Sequence, residues 1–216
     1  MKKGIIVGFL ITIVIIIITI YILLYNKIDI KNYYTNEDFN IENYISDTDK
    51  DGDGIDDQTD ILENVRKYIS TKPKYKSKYY STGYPDDEYG VCTDVIAFGL
   101  LGAGYNLMEL VNEDIIKNPN DYNITNIDKN IDFRRVRNLK IYLDRNAITL
   151  TTDINDIDKW QGGDIIVFEK HIGIVSDKRN KKGISYVIHH ANPYQLNYEE
   201  DFLEYRDDIV GHYRIT

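Results

Sequence analysis

Gly163-Asp164-Ile165-Ile166-Val167-Phe168, followed after two residues by His171-Ile172-Gly173-Ile174-Val175, decides the fold class. Both runs are short and rich in β-branched residues, as strands are. Residues 186–189 and 211–215 have the same character, and Gly, Asn, Lys and Asp clusters between the runs supply hairpin turns. Upstream the period changes. Ile61, Leu62, Val65, Tyr68 and Ile69 recur at helical spacing, which predicts a helix over 58–70. A second helix starts at Cys92 or Thr93 and stops at the glycines 102 and 104. Two more are expected over 107–116 and 132–144, with Phe133, Val136, Leu139 and Leu143 on the buried face of the latter. Residues 71–90, with Pro73, Gly83, Pro85 and Gly90, form a long loop. Helices first and antiparallel strands second make an α+β domain.

Working outward to the N-terminus, residues 5–25 carry no charge and are mostly Ile, Val and Leu. At ~1.5 Å per helical residue this run reaches ~32 Å, the thickness of a bilayer's hydrocarbon core. Lys2 and Lys3 precede it, so the positive-inside bias places the N-terminus in the cytoplasm and the rest outside. The expected organisation is a transmembrane anchor (1–26), a polar stalk (27–48) and one domain (49–216) opening with an aspartate-rich loop (49–60). The expected location is the plasma membrane, single-pass, with the C-terminal domain extracellular. The net charge of −9 argues against nucleic acid as a partner.

Cys92 is the only cysteine, so no internal disulfide exists. It stands at the expected start of a helix, where unpaired N–H groups stabilise a thiolate and predict a lowered pKa. Asp94, in the same turn, opposes this. All four histidines, His171, His189, His190 and His212, follow the cysteine in the strand-rich half. A histidine at a strand start can serve a thiol on a facing helix as base, and a group on a neighbouring strand can orient it. Cys92 as nucleophile, His171 as base and His189 or His190 as the orienting third residue, with His189 preferred, is the expected catalytic set. Arg134 and Arg135 offer planar forks for a substrate carboxylate. Tyr84 and Tyr89 are candidates for substrate contact and for the second oxyanion donor beside the Cys92 N–H, and Tyr75, Tyr79 and Tyr80 share their loop.

The 163–168 and 171–175 strands resemble the signature of NlpC-type cell-wall peptidases, in which the histidine of the second strand is the base. Val187-Ile188-His189-His190-Ala191 is similar to the strand that carries their third residue. This resemblance implies a papain-like fold, with the cysteine helix packed ahead of the sheet. A closer resemblance is to the bacterial family of domain of unknown function 1287. It is carried by Gly83-Tyr84-Pro85, by Gly90-Val91-Cys92-Thr93-Asp94-Val95, by the run from Asn130 to Val136 (NIDFRRV), and by Gly211-His212-Tyr213-Arg214. It spans about residues 55 to 216 and implies fold and dyad, with no assigned substrate.

Asp49-Lys50-Asp51-Gly52-Asp53-Gly54 continues to Asp60 with carboxylates at positions 1, 3, 5 and 12 and Gly at 6, the ligand spacing of an EF-hand loop. Asp49, Asp51, Asp53, Ile55 (by its carbonyl), Asp57 and Asp60 are the expected Ca²⁺ ligands. Asp at 12 is one methylene shorter than the usual Glu, and no amphipathic helix precedes the loop. An acidic turn capping the following helix is the competing reading. The expected function is a membrane-anchored cysteine hydrolase cleaving an amide bond, in cell-wall peptide for example, with structural Ca²⁺ and no catalytic cofactor. The alternative is a calcium-dependent surface-binding module on an inactive papain-like scaffold. A zinc site of Cys92, His171 and His189 is disfavoured by the lack of a local ligand pair.

Overall fold

The computed structural model describes residues 2–27 and 33–215, with side chains for 8–21 and 33–215. Two compact units result, residues 1–32 and 33–216. In the first, helix α1 runs Lys2–Lys27. Its side chains from 8 to 21 are exposed and apolar, and the hydroxyls of Thr12 and Thr19 donate back to the carbonyls of Gly8 and Ile15. Among the residues whose side chains are described, no single helix is long and apolar enough to cross a membrane.

The second unit has helices on one side and a sheet on the other. Helix α2 (Asp57–Ser70) begins where the Asp56 carboxylate accepts the Thr59 N–H. Strands β1 (Lys74–Tyr75) and β2 (Tyr89–Gly90) pair in parallel, and α3 (Cys92–Gly102) and α4 (Leu107–Lys117) follow. Helices α5 (Pro119–Tyr122), α6 (Lys129–Asp132) and α7 (Val136–Asn146) complete the layer. The single helix expected over 132–144 is two helices broken at 133–135. There the Asp132 carbonyl accepts from the Asn138 amide, and Arg134 turns inward.

Strands β3 (Ile148–Thr149), β4 (Ile165–Phe168), β5 (Ile172–Arg179), β6 (Ser185–Ile188), β7 (Glu199–Glu200) and β8 (Ile209–Arg214) form an antiparallel sheet in the order β3-β8-β4-β5-β6-β7. Strand β4 is buried on both faces. Ile165 and Val167 join the helix-side core with Ile61, Val65, Ile96 and Leu100. Ile166 and Phe168 join a second core with Trp160, Val187 and Leu203. Successive side chains point to opposite faces, so a continuous apolar strand requires two cores.

The segment expected as a stalk is, from Tyr33 on, part of this unit. Tyr34 bridges Arg179, and the buried Asn36 bonds Gln161 (2.9 Å) and the Arg179 guanidinium (2.5 Å). Polar residues there satisfy buried polar groups of the sheet, which a search for apolar periodicity does not detect. The expected stalk's residues 28–32 lie outside the described residues.

Candidate functional site

Cys92 is the first residue of α3, with Val91 in extended conformation as its N-cap. The approach is tight. A Cβ on Gly90 would lie 2.2 Å from the Tyr68 hydroxyl, so any larger residue there would have to displace the Tyr68 ring. The β1–β2 pairing sets Tyr75 alongside Gly90, bringing its ring toward the thiol. From the sheet, the Ile172 N–H of β5 points at the Cys92 sulfur, and His171 is the residue before it.

His171 Nε2 and His189 Nδ1 are 2.8 Å apart, at the ends of adjacent strands β5 and β6. The rings meet edge to face at 76°. With Nε2 engaged, Nδ1 is the ring nitrogen of His171 left for another partner. Of the two candidates for a third residue, His189 is the one whose ring contacts His171. His190 instead lies edge-on to Tyr75 (5.1 Å) and Tyr198 (5.2 Å), with Nδ1 buried and unpaired. Phe202 walls the pair, 4.3 Å from the His189 ring, and Arg206 lies over Phe202 at 5.1 Å.

The electrostatics differ from expectation. Burial pushes the Cys92 thiol up to about 11, against the pull of the Ile172 and helix N–H groups. The helix terminus is therefore outweighed by desolvation. Burial, together with the nearby Arg206 guanidinium, pushes His171 down to about 4. His189 falls to about 3, again by burial, with His171, His190 and Arg206 adding to it. Burial thus favours the neutral form of the thiol and of both imidazoles.

Asp94 does oppose a thiolate, its charge adding to the rise of the Cys92 thiol, but it is not an isolated charge. It is fully buried and held by Arg134, Nε to Oδ1 at 2.6 Å and Nη2 to Oδ2 at 2.9 Å, while Val91 N–H donates to Oδ2. Arg134 also donates to the Lys78 carbonyl (2.6 Å). Arg134 as a substrate clamp is thus corrected: its fork already holds a carboxylate, that of Asp94. Arg135 points elsewhere, beside Asp132 at 3.5 Å, into a cleft of about 650 Å³ shared with Lys170 and Asn138. Tyr84 is corrected too. Its ring packs on Phe98 and Phe133, and its hydroxyl donates to Asn106 at the head of α4 (3.2 Å), two turns along α3 from the thiol. Tyr89 stays near the site, half-buried under the ammonium groups of Lys76 and Lys78.

His212 belongs to a separate buried node. Its Nε2 meets Asp164 Oδ2 (3.0 Å), its Nδ1 meets the Thr151 carbonyl (2.7 Å), and its ring stacks on Trp160 at 3.9 Å. Arg214 grips the same carboxylate with two bonds, and the Gln58 amide and Gln161 N–H fill its remaining lone pairs.

In the aspartate loop, one oxygen each of Asp49, Asp51 and Asp53 lies within 4.8 Å of the others, all exposed. Asp49 also accepts N–H bonds from Gly52, Asp53 and Gly54. Ile55 sits at the loop's exit, where its N–H donates to Asp53 (2.8 Å). Asp57 is corrected as a ligand, because the Thr48 hydroxyl, the Tyr105 hydroxyl and the Lys50 N–H occupy its carboxylate. Asp60 is raised to about 6 by burial and by the neighbouring Asp53, Asp51 and Glu63 charges. A divalent cation would relieve that repulsion; the carboxylates close enough to share one are Asp49, Asp51 and Asp53, while Asp60 Oδ1 accepts from the Asn64 amide (2.6 Å).

The family profile described as Domain of unknown function (DUF1287) matches residues 62–215. The uncharacterized protein YijF of Escherichia coli (strain K12) is 35% identical over 167 residues, which cover 71% of this chain and 80% of that protein. No solved structure matches.

Proposed function

Since the chain belongs to the Domain of unknown function (DUF1287) family, whose description names no chemistry, we propose from the site itself that it is a cysteine hydrolase of papain-like, NlpC-related design, cleaving an amide bond in cell-wall peptide. One observation carries this reading: the 2.8 Å contact of His171 Nε2 with His189 Nδ1, at the start of the strand whose Ile172 N–H faces the thiol at the head of α3. It leaves His171 Nδ1 as the base.

The resting pair is neutral, so attack and proton transfer go together. The Cys92 sulfur bonds the carbonyl carbon as its proton moves to His171 Nδ1, and the oxyanion is met by the Cys92 N–H. The C–N bond then breaks, the proton passes to the leaving amine, and water releases the acid from the thioester. Anchorage in a membrane is supported by the exposed, mostly apolar surface of α1 and by its two internally satisfied threonines; Lys2 and Lys3 ahead of it favour the domain outside. Ca²⁺ in the 49–53 loop, with Asp60 behind it, is the proposed structural ion.

The test is incubation of the full chain, in detergent, with purified cell wall, counting new amine termini. Cys92→Ala and His171→Ala should each lower release at least ~10³-fold. Equal release by Cys92→Ala would end the hydrolase reading. The second reading, a calcium-dependent binding module without turnover, is favoured by the raised thiol pKa. It expects Ca²⁺-dependent retention on cell wall, unchanged in Cys92→Ala, with no new termini.

A further inference from the structure

His189 holds His171 through Nδ1, and its own Nε2 is buried with no hydrogen-bond partner. An orphaned buried ring nitrogen loses its hydration with nothing in return and calls for an explanation. The charged group that faces it is Glu200 of β7, with Oε2 at 3.7 Å and a side chain one-third exposed. Strand alternation separates this residue from Glu199. Glu199 accepts from Ser176, Lys178 and Arg66. Glu200 is turned to the other face, opposite Val187 and toward the His189 ring.

Counting protons shows what that carboxylate does. If His189 carried its proton on Nδ1, it would donate to His171 Nε2, and His171 would present an N–H, not a lone pair, at Nδ1. His189 Nε2 would then set a lone pair against a carboxylate that is itself only an acceptor. With the proton on Nε2 of His189 every group agrees. Nε2–H faces Glu200, Nδ1 accepts from His171 Nε2–H, and His171 Nδ1 is free for the thiol. A small rotation of the partly exposed glutamate closes the 3.7 Å gap.

We propose that Glu200 is a positioning residue, which fixes the tautomer of His189 and through it the basic nitrogen of His171. The relay runs Glu200–His189–His171–Cys92 and rests on the hydrolase reading above. Other ionisable groups around the two rings are Arg206, Asp208 and His190. Arg206 is occupied by Asp208, and His190, whose ring packs edge-on to Tyr75 and Tyr198, makes no hydrogen bond to His189. Neither supplies an acceptor to His189 Nε2.

The experiment labels the histidines with ¹⁵N in the full chain, in detergent micelles, and reads each ring's tautomer from two-bond ¹H–¹⁵N correlations at neutral pH. In the native chain His171 and His189 should both be Nε2–H forms. Glu200→Ala should leave His189 as a mixture, with His171 following, while His212 keeps its pattern as internal control. Glu200→Gln should restore the native tautomers, because its amide oxygen accepts the same proton. A merely structural role would move none of these. Release of amine termini should fall about tenfold or more in Glu200→Ala and recover in Glu200→Gln, a fraction of the ~10²–10⁴ that a positioned base supplies. Native His189 protonated on Nδ1, or native tautomers retained in Glu200→Ala, would overturn the proposal. Loss of tautomer in a chain that releases no termini would uphold the positioning role and remove the hydrolase reading alone.

Discussion

The sheet carries two buried histidine clusters, and they are built oppositely. Around Asp164 every lone pair is used: Arg214, His212, Gln58 and Gln161 all converge on one carboxylate. Between His171 and His189 there is one ring-to-ring hydrogen bond, while His189 Nε2 and His190 Nδ1 stay unpaired. A saturated network holds a structure together, because any change exposes an unmet charge. An unsaturated one keeps protonation states that can change during a reaction. Histidine alone is therefore no sign of chemistry; the unfilled valence beside it is.

The largest effect that tests this contrast is on the saturated side. Asp164→Ala should destabilise the fold by about 3–5 kcal/mol, since it strands Arg214 and His212 in a dry interior. At a few degrees per kcal/mol for a chain of this size, the melting temperature should fall roughly 10 °C. A loss below about 1 kcal/mol in chemical denaturation would erase the distinction. The middle effect is on the reactive side. Iodoacetamide alkylation of Cys92 should inflect above free cysteine, toward about 11, because burial holds the thiol neutral. An inflection below ~8.5 would mean a resting thiolate–imidazolium pair instead. Both histidines have lowered folded pKa values, about 4 and about 3, so their contribution to stability is present above ~6.5 and is lost as pH falls toward those values.

The smallest effect concerns the exposed aspartate loop. Asp60 has a folded pKa raised from 3.8 to about 6, so its protonated form is favoured in the fold. Without Ca²⁺, stability should decline as pH rises from about 4 to about 6. Saturating Ca²⁺ should reverse that slope and, at 100 times its Kd, add ~2.7 kcal/mol. Asp51→Ala or Asp53→Ala should remove the calcium response. A pH slope and melting curve indifferent to millimolar Ca²⁺ would leave the loop as the cap of α2.

Helix α2, the start of α3, helix α4 and strands β4, β5, β6 and β8 were legible within a few residues, since each has a strong local period or a glycine boundary. Apolar spacing did not reveal the break between α6 and α7, because its cause is Arg134 turning to Asp94, 40 residues away. The same pairing removed Arg134 from the substrate candidates. A rule that looks for exposed arginine forks has no means of knowing that one is already filled. The motif names His189 before His190 as the partner of His171, and only the packed strands show which ring meets it: His189 Nδ1 lies 2.8 Å from His171 Nε2. Glu200 went unread because a lone acid on a two-residue strand has no pattern around it.

By itself the sequence determined the α+β order, the position of Cys92 at a helix head, and a set of separate motifs, since these depend on neighbours within one or two turns. Only the tertiary structure decided how the motifs pair. Gly163-Asp164 and the run from Gly211 to Arg214 are two halves of one node, closed at 2.7 Å between Arg214 Nε and Asp164 Oδ1. Gly163 adopts φ +94, and a Cβ there would lie 2.4 Å from the Gln58 carbonyl, so its glycine serves the packing of α2 against the sheet. Asp94 and Arg134 close a second node. Tertiary structure also decided the protonation state of the site. A helix N-terminus lowers a thiol's pKa through a local field, but burial raises it through loss of water on every side. How much water remains is a property of the packed chain.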